Sequence, residues 1–328
     1  MSQDISQADE LVVDLTGDDM VTPFEVKPLG VRGRVVRLGP AVTELLERHG
    51  YPPAVSALLA EAAGLVALLG TTLKFDGKFI LQTRTDGPVD MMVVDFVTPG
   101  NIRGYAHFDA EKLETLVASG DVAQRALLGQ GHLVMTIDQG AEMERYQGVV
   151  AFTGESLSAA AHDYFLQSEQ IPTSVRLAAG PVISQGSEGR EEWRMGGIMV
   201  QHLPKDGPPS AIAISSGDAP PDTSLEEPEE QSEEWTRARV LMESVEDHEL
   251  LDPTVTTDRL LYRLYHEDGV TAYQPQSIAH KCHCSRERIK SVLEGFTAEE
   301  LAETLENGKI TVTCEFCSAK YEFKEAEL

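Results

Sequence analysis

The sequence predicts an α+β protein in which an N-terminal domain of β-sheets and packed helices precedes a helical linker region and a small C-terminal module. Two observations support this fold class. Between residues 24 and 203, short β-like runs follow one another without a regular alternation of strand and helix, which argues against a doubly wound parallel sheet. All four cysteines lie between residues 282 and 317, where two close pairs indicate a separate metal-binding module.

Changes in composition divide the chain of 328 residues into segments. This length is sufficient for a substantial core and for more than one domain. We expect, in order, a flexible acidic tail at 1–22, the N-terminal domain at 23–205, an acidic disordered insertion at 206–233, a helical linker at 234–278 and the C-terminal module at 279–328.

In the N-terminal domain, strands are predicted where β-branched and apolar residues form short runs between glycine-bearing turns. These runs are 91–97, 104–108, 133–137 and 148–152. Helices are predicted where apolar residues recur at helical spacing, at 41–49, 54–69, 109–119 and 156–167.

The most apolar run extends from Ala54 to Gly70, with Glu61 near its middle. It is too short and too interrupted for a convincing membrane span. Pro52 and Pro53 start it and Gly70 stops it, so the pattern indicates a buried helix. We therefore expect no membrane association.

The insertion at 206–233 is rich in Pro, Ser, Gly and Glu, and no basic residue occurs between Lys205 and Arg237. Such a segment buries too little apolar area to offset its ordering entropy. We interpret it as a tolerated insertion that takes no part in regulation.

Two amphipathic helices are predicted after the insertion, at about 234–247 and 255–267. Neither is long enough to be stable undocked. We expect the C-terminal module, alongside the N-terminal domain, to support them. Trp235 and Trp193 are interpreted as packing residues.

The C-terminal module carries Cys282 and Cys284 just before a helix at 286–293, for which Ser285 is a candidate N-cap. A second helix is expected at about 298–306. Cys314 and Cys317 lie between two predicted strands, 310–313 and 321–323. Four thiolates on one short module match the tetrahedral coordination that structural Zn²⁺ prefers. A purely structural zinc site is the simplest interpretation, and a redox switch is the second.

Charge and the N-terminus restrict the class of function. The formal net charge is −27, from 54 acidic and 27 basic side chains, which argues against nucleic acid as a partner. The start Met1-Ser2-Gln3-Asp4 lacks the basic and apolar regions of a signal peptide. We therefore expect a cytoplasmic protein whose thiol pairs serve as metal ligands or redox centres rather than as a disulfide framework.

The C-terminal sequences HKCHCSRERIKSVLEGF and ITVTCEFCSAKYEF resemble the redox module of the heat shock protein 33 family, also called the 33 kDa chaperonin. The resemblance spans roughly residues 24–205 and 234–325. Further matching motifs are Gly50-Tyr51-Pro52, Leu73-Lys74-Phe75-Asp76-Gly77, Ile102-Arg103-Gly104-Tyr105-Ala106, Leu127-Leu128-Gly129-Gln130-Gly131, Tyr146-Gln147-Gly148-Val149-Val150, 167–173, 196–201 and 261–267.

The resemblance implies a cytoplasmic, ATP-independent holdase that binds unfolded client proteins under oxidative stress. It implies one Zn²⁺ per reduced chain, bound by Cys282, Cys284, Cys314 and Cys317, with disulfides Cys282–Cys284 and Cys314–Cys317 after oxidation. It further implies a reduced monomer, an oxidised dimer and hand-over of clients to ATP-dependent chaperones.

The chain departs from the family pattern in two places. The insertion 206–233 is longer than expected, and His280 and His283 flank the first cysteine pair, where we expect them to be spectators. Two other classes of function are possible for a four-cysteine module. A zinc-ribbon regulator of nucleic acid needs a basic stripe, but residues 271–328 carry seven Lys/Arg against ten Asp/Glu. A thiol oxidoreductase using Cys314 and Cys317 would need that pair at a helix N-terminus. The sequence otherwise indicates no enzyme.

Overall fold

The computed structural model describes residues 17–74, 76–140, 145–153, 155–183, 191–203, 232–305, 308–324 and 327. The predicted insertion at 206–233 therefore lies almost entirely outside the described residues, as does the tail up to residue 16.

The strands are numbered in chain order. They are β1 Met20–Val26, β2 Val31–Leu38, β3 Lys78–Thr85, β4 Met91–Val97, β5 Asn101–His107, β6 Gly131–Asp138, β7 Tyr146–Phe152, β8 Thr173–Ile183, β9 Glu191–His202, β10 Thr271–Ala272, β11 Gln276–Ser277, β12 Ala279–His280, β13 Lys309–Thr313 and β14 Lys320–Lys324.

The helices are also numbered in chain order. They are α1 Pro40–Glu47, α2 Pro53–Gly70, α3 Ala110–Ser119, α4 Gln124–Leu128, α5 Leu157–Tyr164, α6 Glu233–Glu243, α7 Asp247–Leu251, α8 Thr257–Tyr265, α9 Arg286–Leu293 and α10 Ala298–Thr304. A 3₁₀ turn covers Lys27–Leu29, and a π turn at Phe165–Glu169 continues α5.

Two six-stranded sheets and one hairpin carry these elements. The first sheet has the order β10-β1-β2-β9-β8, with β11 also paired to β1. The second sheet has the order β12-β5-β4-β3-β6-β7, and β13 pairs with β14. The pairs are antiparallel except for β12 on β5, which is parallel. The predicted α+β class is confirmed, as are the four predicted strands and the four predicted helices of the N-terminal domain.

Helix α2 lies between the two sheets, in contact with β2, β8 and β9 of the first and β3, β4 and β5 of the second. It is apolar on nearly all sides, as a helix enclosed by a core must be. A Cβ on Gly64 would lie 2.0 Å from the Met195 sulfur, so glycine permits the close approach of α2 to β9. Among the described residues α2 alone is long and apolar enough to span a membrane, and 78% of that stretch is buried within the protein.

The predicted tail at 1–22 extends too far, because β1 already begins at Met20. The carboxylates of Asp18 and Asp19, just before β1, hold this part of the chain against the N-terminal domain. The Asp19 carboxylate accepts hydrogen bonds from the amides of Gly39 and Ala41 at the start of α1, the shorter at 2.9 Å. The Asp18 carboxylate forms an ion pair with Arg194 on β9, with one N–O distance of 2.8 Å. Capping and charge pairing therefore order a stretch that has no apolar periodicity.

The linker helices differ from their predicted bounds. Helix α6 ends at Glu243 rather than at 247, because the Glu246 and Glu249 pair forms a capping box that starts the additional helix α7. Ser232 caps α6 by accepting a hydrogen bond from the Trp235 amide at 3.2 Å. Trp235 is 2% exposed, in agreement with a packing role.

The apolar faces of α6, α7 and α8 cover the outer face of the first sheet. Val36 faces α2, whereas its neighbour Val35 faces the linker helices, as alternation along a strand requires. The Tyr265 hydroxyl on α8 donates to the Ala238 carbonyl on α6 at 3.1 Å, which joins the two helices. The cluster that they share with the sheet includes Phe24, Val26, Ile198, Val200, Trp235, Met242, Leu260, Leu261 and Leu264. The observed support of these helices is thus the N-terminal sheet.

Glu61 is the acidic residue of the core helix α2. Gln124 donates a side-chain hydrogen bond to its carboxylate and accepts one from the Leu157 amide at 3.0 Å. Burial raises the pKa of Glu61 to about 7, although the Gln124 hydrogen bond acts in the opposite direction. The Asp247 carboxylate on α7 adds to the increase.

We predict that Glu61→Gln stabilises the protein above pH 7. Because the folded pKa exceeds the unfolded one, the native state retains a proton that the unfolded state releases, so ionisation of Glu61 destabilises the fold as pH rises. The free energy of unfolding should increase by about 1–3 kcal/mol at pH 8 and change little at pH 4, below the unfolded pKa. Urea unfolding at both pH values measures this, with exposed Glu114→Gln as control. An equal effect of Glu61→Gln at both pH values would contradict the assignment.

Candidate metal centre

The C-terminal module has a very small apolar core. Leu293 of α9, Ile310 of β13 and Phe323 of β14 form its buried cluster, with five partly buried residues around them. A core of this size supplies too little burial to hold some fifty residues by itself. The fold of the module therefore depends on an additional cross-link.

The four cysteines occupy the positions that the sequence predicts. Cys282 and Cys284 precede α9, where the Ser285 hydroxyl accepts the Arg288 amide at 3.2 Å. Cys314 and Cys317 lie in the turn between β13 and β14. That turn is closed by the Ser318 amide donating to the Cys314 carbonyl at 2.7 Å.

The four Sγ atoms lie within 4.8 Å of one another. Cys282 and Cys314 sulfurs are 3.7 Å apart, and those of Cys284 and Cys317 are 3.4 Å apart. A tetrahedral ion with bonds of about 2.3 Å requires sulfurs about 3.8 Å from each other. The cluster therefore fits a single four-coordinate metal ion.

The thiols differ in their tendency to lose a proton. Burial raises the pKa of Cys284, but hydrogen bonds from the Tyr321 hydroxyl, at 3.2 Å, and from the other thiols outweigh it and bring that pKa to about 7. Burial raises the pKa of Cys314 and of Cys317. A metal ion that binds here must displace the remaining protons.

The two neighbouring histidines lie outside the sulfur cluster. His280 has a side chain 2% exposed, and its Nδ1 is 3.7 Å from a Glu44 carboxylate oxygen of α1. His283 lines a cavity beside Cys284. Within the described residues, the grouped metal-binding atoms are the four sulfurs, in keeping with a spectator role for both histidines.

Phe316, inside the Cys314–Cys317 turn, anchors the module on the N-terminal domain. The Arg103 guanidinium lies 3.9 Å from its ring centroid, and the Tyr105 ring packs edge-on at 4.9 Å. His49 also contacts this turn, with Nε2 3.3 Å from the Phe316 carbonyl and Nδ1 3.3 Å from the Ser318 hydroxyl. No motif in the sequence marks His49 as a contact of this turn. The sequence signal for Phe316 is an aromatic side chain between two candidate ligands, Cys314 and Cys317.

The first cysteine pair is also tied to the N-terminal domain. Strand β12 lies parallel to β5, with the Ala279 amide donating to the Gly100 carbonyl at 2.8 Å and the Lys281 amide to that of Ile102 at 2.9 Å. The cysteine-bearing segment therefore continues directly from a strand of the second sheet.

The comparisons with known proteins agree with this architecture. Residues 19–324 match the sequence model of the Hsp33 protein family. The 33 kDa chaperonin of Caulobacter vibrioides is 45% identical over 93% of this chain and 94% of its own length. Those of Shewanella loihica and Escherichia coli are 33% and 32% identical, each over 94% of both chains. A crystal structure of the 33 kDa chaperonin from Thermotoga maritima has a TM-score of 0.70 at 21% identity, covering 94% of this chain and 96% of that one, and so shares the fold.

These matches place the chain among molecular chaperones, a class of protein that is not an enzyme class, and the four-cysteine cluster is compatible with that assignment. The chain belongs to the Hsp33 protein family. Membership favours a chaperone and stress-response role over a nucleic-acid regulator or a thiol oxidoreductase.

We predict that Phe316→Ala loosens the docking of the module but leaves metal content unchanged, because Phe316 supplies no ligand. The lost cation–π and aromatic contacts are worth about 1–2 kcal/mol, or roughly a tenfold faster opening. Hydrogen exchange at the Lys281 amide measures this opening. Phe296→Ala, which removes an exposed ring of the same module, is the control. Unchanged exchange at Lys281 in Phe316→Ala would mean that other contacts hold the module.

Proposed function

We propose that this protein is a redox-regulated, ATP-independent holdase that is inactive when reduced and zinc-bound. The observation that carries the proposal is the four-sulfur cluster, built into a module whose apolar core is too small to persist without it. The cytoplasm, where thiols are kept reduced, is its proposed location.

The ligands of the proposed Zn²⁺ are Cys282, Cys284, Cys314 and Cys317. Bound zinc would hold their sulfurs as thiolates at neutral pH, the form that reacts with oxidants. The Tyr321 hydroxyl, 3.2 Å from Cys284, would donate a hydrogen bond to that thiolate. Four sulfurs complete the coordination of one Zn²⁺, so we expect one ion per reduced chain.

Oxidation would form the disulfides Cys282–Cys284 and Cys314–Cys317. The formation of each disulfide transfers two electrons from two thiolates to the oxidant and removes two metal donors. Loss of the donors removes the cross-link on which the module's fold depends. The Cys282–Cys284 disulfide would close a small ring, because one residue separates the two cysteines. We expect this disulfide to be readily reduced, so the switch is reversible.

Activation would expose apolar surface that the reduced protein covers. The segment 271–280 pairs with β1 and β5, and it joins α8 directly to Cys282. Loss of the module would release one end of this segment and weaken the hold of α6, α7 and α8 on the first sheet. The apolar residues of that sheet and of the helices would then be available to unfolded clients. The net charge of −27 would keep the exposed form in solution.

The partners follow from the same proposal. Clients are unfolded or partly folded proteins, held until ATP-dependent chaperones receive them. The reduced chain is proposed to be a monomer and the oxidised chain a homodimer. Residues 23–205 would bind clients, and the metastable linker 234–278 would cover the apolar surface of the first sheet. Residues 279–328 would sense the oxidant. The insertion 206–233 would be dispensable.

The proposal is tested by metal analysis and client aggregation on one preparation. The reduced protein should contain one zinc per chain and should not suppress light scattering by a denatured client. Hypochlorite should release zinc and start suppression together, and thiol reductant with zinc should reverse both. Because a lost thiolate breaks the donor set, Cys317→Ser should lose zinc and be active without oxidant.

His283→Ala is the matched control, since it alters the same turn without removing a sulfur. It should keep its zinc and its dependence on oxidant. Zinc loss in His283→Ala would show that the ligand set is wrong. Equal suppression by reduced and oxidised wild-type protein would refute redox control while leaving the chaperone role in place.

A further inference from the structure

A cavity of about 610 Å³ lies in the seam between the C-terminal module and the second sheet. Its volume falls in the range of small-molecule sites, about 300–1,000 Å³. Val97 of β4 forms one wall, and Ile289, Val292 and Phe296 on or just after α9 form another. Val292 and Phe296 are 61% and 47% exposed, so apolar surface is open to a ligand.

The same cavity is cationic in a strongly acidic protein. Lys78, Arg103 and Arg288 line it, and no carboxylate occurs among its described lining residues. The nearby carboxylates are already occupied: Asp95 pairs with Arg103 at 2.6 Å and Asp138 with Arg145 at 3.2 Å. Within the described part of the chain, Lys78 and Arg288 form no ion pair. The cavity therefore favours an anion that also carries an apolar chain.

Of the four cysteines, Cys284 lines this cavity. Its sulfur also belongs to the metal-binding cluster, 3.4 Å from that of Cys317. A ligand seated in the cavity would therefore lie against one thiolate of the switch. Lys78, Arg288 and the exposed apolar side chains belong neither to the four sulfur ligands nor to the residues that hold Phe316.

We propose that the cavity is a recognition site for fatty-acid hydroperoxides, in which the cations bind the carboxylate, the apolar wall binds the acyl chain and Cys284 reduces the peroxide. The inference rests on the proposed redox function and names the class of oxidant that this site selects. Hydrogen peroxide and hypochlorite are too small to use the apolar wall.

The chemistry balances without another reactant. The Cys284 thiolate attacks the terminal peroxide oxygen, so that an S–O bond forms and the O–O bond breaks, giving a sulfenic acid and an alkoxide that water protonates. The Cys282 thiolate then attacks the Cys284 sulfur, forming the disulfide and releasing hydroxide. The two sulfurs lose two electrons, and the hydroperoxide becomes a hydroxy fatty acid.

The test compares zinc release, followed with a chromophoric chelator, by linoleic acid hydroperoxide, its methyl ester and hydrogen peroxide. Wild type should react about tenfold or more faster with the acid than with the ester. A cleft lined by cations raises the association rate of an anion, and the methyl ester has no negative charge. Lys78→Glu with Arg288→Glu should abolish this preference and leave the rate with hydrogen peroxide unchanged. Lys112→Glu with Arg125→Glu, two exposed positions on α3 and α4, is the control for the same change in net charge.

A second readout does not depend on oxidation. Binding of unreactive oleate to the reduced protein, measured by calorimetry below its micelle concentration, should weaken about tenfold in Lys78→Glu with Arg288→Glu. It should also weaken in Val292→Asp, which alters an exposed position and should retain its zinc. Equal rates for acid and ester, or oleate binding unaffected by these changes, would overturn the inference. If hydrogen peroxide still releases zinc in that case, the redox function stands. If no oxidant releases zinc, the proposed function itself fails.

Discussion

The contact among four sulfurs is the constraint on which the fold of the C-terminal module depends. Among the described residues of the C-terminal module, the buried apolar cluster consists of Leu293, Ile310 and Phe323, and hydrophobic burial on this scale does not offset the entropy of ordering the module. A metal held by the sulfurs would supply the missing free energy. The state of the thiols would then decide whether the module is folded. The two sheets around α2 have a large core of their own and do not share this dependence.

The module communicates with the rest of the protein by two routes. One is the set of contacts that Arg103, Tyr105 and His49 of the N-terminal domain make with Phe316, which lies in the turn that carries Cys314 and Cys317. The other is the segment 271–280, which pairs with β1 and β5 and connects α8 to Cys282. Any rearrangement of Cys314 and Cys317 must move Phe316, which lies between them. In the proposed mechanism, oxidation of the sulfurs would therefore weaken the docking of the module, and the linker helices would be the next elements along the chain to lose support.

Periodicity and cysteine spacing were enough to predict the fold class, the strands at 133–137 and 148–152, the core helix and the four clustered sulfurs, because these depend on local patterns. What the sequence could not show arises from long-range pairing. The two-residue strands β10 to β12 have no pattern of their own and exist because β1 and β5 offer unpaired edges. Met20 pairs with Ser277 on β11, and Phe316 docks the module only through residues of the N-terminal domain such as Arg103 and Tyr105. Both contacts join residues that are far apart in the sequence. The apolar faces of the linker helices predicted that they dock on something, but they did not show whether the C-terminal module or the N-terminal sheet is the main support.

Loss of the bound metal should loosen the linker helices α6, α7 and α8 from the first sheet. Trp235, 2% exposed on α6, reports this directly once Trp193 is replaced by phenylalanine. Emission of Trp235 should shift to longer wavelength as oxidant releases zinc, with the same time course as client binding, and should return on reduction with zinc. Suppression of client aggregation at full strength while Trp235 emission stays that of a buried indole would contradict the account.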